Sequence, residues 1–110
     1  SLQNKAEVIG NYFIKELNKL KYKFPKFISS ISGRGLFIGI DLIDKGNSLI
    51  PNSKLAKKLI NYLRHKGILL STDGPYNNVI KIKPPMIFNK DNVDFVCREI
   101  KDFLIHENKK

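Results

Sequence analysis

The stretch from Gly67 to Phe88, GILLSTDGPYNNVIKIKPPMIF, constrains the fold of this chain more than any other. Two short β-like runs, Ile68–Ser71 and Val79–Lys83, flank a loop of Asp, Gly, Pro and Asn, and the second run stops at Pro84-Pro85. Proline lacks the N–H that a sheet ladder needs, and apolar runs this short between turn residues suit strands better than helices. In the second run the two-residue alternation puts Ile80 and Ile82 on one face and Val79, Lys81 and Lys83 on the other. One face is thus predicted to be core and the other to carry charge.

The flanking segments supply the partners for such a strand pair. From Leu2 to Leu20 the apolar residues Leu2, Ala6, Ile9, Phe13, Leu17 and Leu20 recur at steps of three and four, the mark of an amphipathic helix. Gly10 within it costs on the order of 1 kcal/mol against Ala, which predicts either a close packing contact or a weak spot. Lys21 and Lys23 favour the negative end of the helix dipole and Pro25 forbids continuation, so residues 2–22 read as a connector helix leading into a sandwich over 27–106. Phe27–Ser32 is a short apolar lead-in, and Gly33-Arg34-Gly35 reads as a bend. LFIGIDLI is the clearest strand, with Leu36, Ile38, Ile40 and Leu42 on one face and Phe37, Gly39, Asp41 and Ile43 on the other. Apolar residues dominate both sides. The strand is therefore expected to be central, covered by its own helices and by another domain or subunit.

Asp44–Asn52 reads as a loop, with Asn52 or Ser53 capping a helix whose stripe is Leu55, Leu59 and Tyr62 or Leu63 and whose end is marked by Gly67. Asn89 caps a last helix with Val93, Val96, Ile100, Phe103 and Leu104 buried, and the tail from His106 is expected to fray. The order helix, strand, helix, strand, strand, helix predicts an α/β chain of the two-layer α+β sandwich kind, a small, mainly antiparallel sheet with helices on one face.

With 110 residues the chain has room for one domain. Its single cysteine, Cys97, lies in the apolar pattern of the last helix and reads as a small buried hydrophobe. No apolar run approaches the roughly 20 residues of a membrane span, so no membrane partner is expected. The first residue is Ser, as expected of a piece of something longer. A net charge of +10 raises nucleic acid as a partner, yet the 17 Lys and three Arg are scattered, without an Arg cluster or interleaved aromatics. An independent basic binding module stays open as the rival class; it requires salt-sensitive association with nucleic acid. Catalytic spacing is missing: His65 and His106 are the only histidines, Asp41 and Asp44 do not form an acid pair, and Gly33-Arg34-Gly35 precedes a strand where phosphate loops precede a helix. No catalytic, cofactor-binding or metal residue is predicted.

Three segments carry a resemblance: GRGLFIGIDL (33–42), GILLSTDGP (67–75) and NVIKIKPPM (78–86). In this order they resemble the C-terminal small domain of class III aminotransferases, most closely the alanine–glyoxylate aminotransferase 2-like branch that includes ethanolamine-phosphate phospho-lyases. The resemblance implies the small domain of a fold-type I enzyme using pyridoxal 5'-phosphate (PLP), whose large, cofactor-holding domain lies outside these residues. It further implies a homodimer, with the large domain and a second subunit as partners and a small-molecule amine as substrate. The compartment implied is the cytoplasm, or the mitochondrion if a targeting segment lies elsewhere. No lysine here matches the Schiff-base motif, so these residues alone are not expected to catalyse. Ser32 departs from the family pattern, which has Arg before the Gly-Arg-Gly bend.

One site residue follows from the resemblance. Where many class III aminotransferases carry an Arg that binds a substrate carboxylate, this sequence has Lys81, as the phospho-lyase branch does. Lys is a compact point charge and Arg a two-pronged fork, so the exchange is not neutral. Lys81 is thereby implied to bind substrate and to favour a phosphorylated amine such as phosphoethanolamine. A solvated strand lysine is the alternative for the residue, and an omega-aminotransferase using a keto acid acceptor is the alternative for the activity.

Overall fold

The computed structural model describes residues 2–34, 37–44, 47–68, 70–84 and 88–110. Its elements are α1 (Leu2–Lys23), β1 (Ile28–Arg34), β2 (Phe37–Asp44), β3 (Asn47–Pro51), α2 (Ser53–His65), β4 (Ser71–Asp73), β5 (Val79–Ile82) and α3 (Lys90–Asn108). Leu36, Leu69, Pro85, Met86 and Ile87, and the side chains of Leu2 and Ala6, lie outside the described residues. The sheet runs β1-β2-β5-β4, antiparallel throughout, and β3 pairs with β2.

The predicted alternation holds in both principal strands. Ile38, Ile40 and Leu42 of β2 and Ile80 and Ile82 of β5 are buried in one core with Phe13 and Leu17 of α1, Leu59 and Leu63 of α2, and Val96 and Ile100 of α3. All three helices thus cover one face. Among the described residues no helix covers the opposite face of β2, where Phe37 is exposed and Gly39 and Asp41 are half-buried. Ile43, predicted on that side, is nevertheless buried, and it pairs with Pro51 where the β2–β3 register shifts.

Helix ends follow their local chemistry. Asn52 caps α2 by accepting from the Leu55 N–H at 2.9 Å. At the other end the Ile68 and Gly67 N–H groups donate to the Leu63 and Arg64 carbonyls, with Gly67 at φ +82, so the left-handed glycine closes the helix. Asn89 and Asn92 form a reciprocal capping box on α3. Phe13 of α1 stacks on Phe88, centroids 6.3 Å apart, and pins the segment entering α3 to the core.

Five expectations need correction. Phe27–Ser32 is not a lead-in, because Ile28–Arg34 forms β1; a bulge between Ile28 and Ser30 puts Ile28 and Ile31, three apart, on the core side and hides the alternation. Gly33 and Arg34 belong to this strand and not to a bend; a Cβ on Gly33 would meet Ile14 Cδ1 at 2.5 Å, so the strand passes close under the end of an α1 side chain that would have to turn aside for a larger residue. Asp44–Asn52 is not all loop, since Asn47–Pro51 forms β3 with Asp44 opposite Asn47, a two-residue connection. The strand placed at Ile68–Ser71 lies at Ser71–Asp73, because Ile68 is held by the α2 C-terminus. Finally, α3 does not fray at His106: it runs to Asn108, anchored by the Glu107 pair with Lys58 at 2.9 Å.

Candidate functional site

The open face of the sheet gathers charge over an aromatic floor. β5 lies between β2 and β4, and the register sets Gly39 and Ser71 on either side of Lys81. A strand flanked on both edges has little freedom, so the lysine's backbone is fixed even though its side chain faces outward. Gly39 has no side chain of its own, and the place a Cβ would take is closed by Ser32 Oγ at 2.9 Å and Val79 Cγ1 at 3.3 Å. Phe37, 38% exposed, lies one step along β2, and the Lys81 Nζ stands 4.0 Å from its ring centroid. Lys83 reaches the same ring at 5.9 Å. Both distances fall within the range in which a ring quadrupole attracts an ammonium group.

Phe37, Leu70, Ser71, Lys81 and Lys83 line an open groove of about 310 Å³. None of these residues is acidic. The nearest acid along β2, Asp41, is engaged: its Oδ1 accepts from Asn78 Nδ2 at 2.6 Å. The groove therefore presents two ammonium groups and a serine hydroxyl, a donor set suited to an oxyanion. Lys81 was the site residue expected from the sequence, and alternation places it on this face. Phe37 and Ser71 were not singled out, because which residues of β2 and β4 stand beside Lys81 depends on register, which one strand's pattern does not give.

A second groove, about 320 Å³, runs between α1 and α3 and mixes charges of both signs. Its Glu16 pairs with Lys19 at 2.7 Å, and its Asp94 accepts from the Tyr12 hydroxyl. That hydrogen bond, with burial and the nearby carboxylates, pushes Tyr12 up to about 12. Cys97, at the same seam, is buried, and desolvation pushes its thiol up to about 12, so it is a packing residue and not a nucleophile. His65 donates from Nδ1 to the Asn61 carbonyl at 2.7 Å, closing the last turn of α2. Among the described residues no group of three His, Cys, Asp or Glu could hold a metal ion, and no helix is long and apolar enough to cross a membrane.

The family model for class-III aminotransferases matches residues 1–104. This chain belongs to the class-III aminotransferase family. It is 45% identical over 95 residues to an alanine–glyoxylate aminotransferase 2-like protein of Drosophila melanogaster, covering 84% of this chain and 19% of that one. It is 51% identical over 67 residues to ethanolamine-phosphate phospho-lyase homolog 1 of Caenorhabditis elegans, covering 60% of this chain and 14% of the relative. Among solved structures, an Arthrobacter phospholyase in complex with phosphoethanolamine superposes with a TM-score of 0.86 at 36% identity, over 94% of this chain and 24% of that one. The α+β sandwich described above is thus a fold found in this family. The chain spans about a fifth of the length of the curated relatives it matches.

Class-III aminotransferases depend in general on PLP. The side chains described here do not make a cradle for it. Among the described residues no lysine is buried, and the buried polar side chain, Asn78, spends its donors on Asp41 and Leu42. A groove open to solvent on one sheet face can hold an acid group of a ligand, but it does not enclose a cofactor ring.

Proposed function

We propose that this chain is the C-terminal small domain of a PLP-dependent phospho-lyase, and that Lys81 binds the phosphate of an amino-alcohol phosphate such as phosphoethanolamine. The large domain of the same protein and a second subunit form the other walls of that site, and the cofactor chemistry belongs to residues outside this chain. The observation that carries the reading is the Lys81 ammonium 4.0 Å above Phe37, on an open face whose groove is lined by cations and a hydroxyl. Likeness to a phospholyase and to an ethanolamine-phosphate phospho-lyase homolog supports it. Phosphate carries up to two negative charges and three acceptor oxygens, so two lysines and Ser71 match it better than a single carboxylate would. An omega-aminotransferase is the second reading, favoured by the aminotransferase 2-like relative at 45% identity.

The test uses the full-length enzyme. Release of inorganic phosphate from phosphoethanolamine selects the lyase, and amino transfer to a keto acid without phosphate release selects the transferase. In the lyase, Lys81→Ala should raise KM for phosphoethanolamine about tenfold or more, the loss of one charge-assisted hydrogen bond. An unchanged kcat/KM would remove Lys81 from the site.

A further inference from the structure

The alternation of β5 settles which face Lys81 occupies but not where along that face it stands. A slip of one residue against β2 would drive Lys81 into the core and Ile80 and Ile82 out of it, so burial forbids it. A slip of two residues keeps every isoleucine inside. It would carry Lys81 about 7 Å along the sheet, opposite Asp41 or Phe37 instead of Gly39. Hydrophobic patterning is blind to that error.

Asn78 is not blind to it. This residue immediately precedes β5 and is 6% exposed, the buried polar side chain among the described residues. Its Nδ2 donates to Asp41 Oδ1 at 2.6 Å and to the Leu42 carbonyl at 2.9 Å, while its own carbonyl accepts from the Leu42 N–H at 3.0 Å. All three bonds grip the same corner of β2. A two-residue slip would exchange the Leu42 N–H and carbonyl for the equivalent groups two residues along β2, but it would take the amide away from the Asp41 carboxylate, and Gly39 or Ile43 in that place offers no side-chain acceptor. The turn just before it does not supply the same restraint. Gly74 and Asn77 adopt positive φ there and are joined by a 3.3 Å backbone bond, a geometry local to the connection between β4 and β5.

We infer that Asn78 is the positioning residue for the proposed phosphate site: it selects, among registers that keep the core intact, the one that sets Lys81 beside Gly39 and over Phe37. The same bond occupies Asp41, the acid that Lys81 would face in one of the slipped registers. This inference rests on the reading of Lys81 as a substrate-binding residue, and it assigns Asn78 no contact with substrate.

A double-mutant cycle in the full-length enzyme tests it, with Asn78→Ala, Lys81→Ala and the pair assayed on phosphoethanolamine well below each variant's Tm. The expected result is a rise in KM of about tenfold in Asn78→Ala with kcat changed less than threefold, and no further rise when Asn78→Ala is added to Lys81→Ala. Asp41→Ala removes one of the three bonds without opening the buried site, and it should show the same pattern, weaker, if Asn78→Ala fails to fold. If Lys81→Ala has no effect, the reading of Lys81 fails and the inference with it. If Lys81→Ala is impaired but the Asn78 or Asp41 variant leaves KM unchanged, or its loss adds in full to that of Lys81→Ala, the inference is overturned while the reading of Lys81 stands.

Discussion

Replacing Leu17 by Ala tests whether α1 belongs to the domain or merely leads into it. A connector helix would keep its side chains in solvent or against another body, and its truncation would cost the domain almost nothing. Leu17 is instead 0% exposed, in one cluster with Phe13 and Leu20 of its own helix, Ile28 of β1 and Val96 of α3. Removing a fully buried leucine side chain forfeits its transfer free energy and leaves a cavity, a loss of about 3 kcal/mol. A domain of this size is stabilised by about 5–10 kcal/mol in total, so the variant should stay folded in water with roughly 30–60 per cent of its stability gone. With a urea m-value of about 1.5 kcal/mol/M the transition midpoint should fall by about 2 M at unchanged m. Gly10→Ala on the same helix has the opposite sign. A Cβ there meets nothing within 4 Å, so no packing need explains the glycine, and alanine should add about 0.5–1 kcal/mol through propensity. The measurement is urea unfolding followed by circular dichroism for both variants. A loss below about 1 kcal/mol for Leu17→Ala would show that α1 is not part of this core.

The α2–α3 clamp should fail in acid. Burial works to raise the Glu107 carboxyl, but the hydrogen bond and charge of Lys58, with Lys110, outweigh it and hold it below its ordinary 4.5. A depressed carboxylate contributes stability that is present above the unfolded pKa and is lost as pH falls through the folded one, so wild type should lose more stability than Glu107→Gln below about pH 4.5. Equal losses in a pH series of thermal melts would argue against the pair. At the alkaline end, Tyr12, held neutral by Asp94, should ionise near 12 instead of 10.0, and Asp94→Ala should bring it back towards 10.0 in a tyrosinate absorbance titration. Its stabilising contribution is raised-pKa in kind, complete below 10.0 and gone once the folded pKa is passed. Cys97 should resist iodoacetamide in the native chain at pH 8 and react fully in denaturant; rapid native alkylation would contradict its burial.

The parts of the fold that were legible in the sequence are those whose signal is periodic and uninterrupted. β2 and β5 alternate cleanly, α2 and α3 carry both stripe and cap, and Gly67 marks a left-handed helix end that the backbone adopts. β1 was hidden because its bulge spaces two core-side isoleucines at three, a separation that breaks the two-residue alternation of a strand. β3 was hidden because a five-residue strand ending in Pro51 offers too little alternation to count. For β4 the apolar run Ile68–Leu70 misled: Ile68 and Leu70 pack on the core from irregular backbone, and the ladder begins only at Ser71. Of the candidate groove, Lys81 and its face were readable; Phe37 and Ser71 beside it were not, since strand neighbours are a matter of register and register here is held by a buried side chain.

The floor beneath Lys81 bears on why an ammonium could serve there. A lysine on an open sheet face ordinarily spreads over many rotamers and meets a ligand only after giving up that freedom. An aromatic ring at 4.0 Å narrows the choice before any ligand arrives. The hold is weak, about 0.5–1 kcal/mol at an exposed site, whereas a hydrogen bond to a charged group is worth about 1.5–3 kcal/mol. A phosphate would therefore bind the ammonium more strongly than the ring does, and Lys83 reaches the same ring from 5.9 Å. An arginine would behave differently, because its planar guanidinium stacks on a ring face and, held there, turns to a phosphate less freely than a flexible ammonium does. Lys81→Arg in the full-length enzyme should accordingly weaken binding of phosphoethanolamine relative to an α-amino acid. If instead the phosphorylated substrate bound as well to the arginine form as to the lysine form, the ring-and-ammonium arrangement would have no part in choosing the substrate.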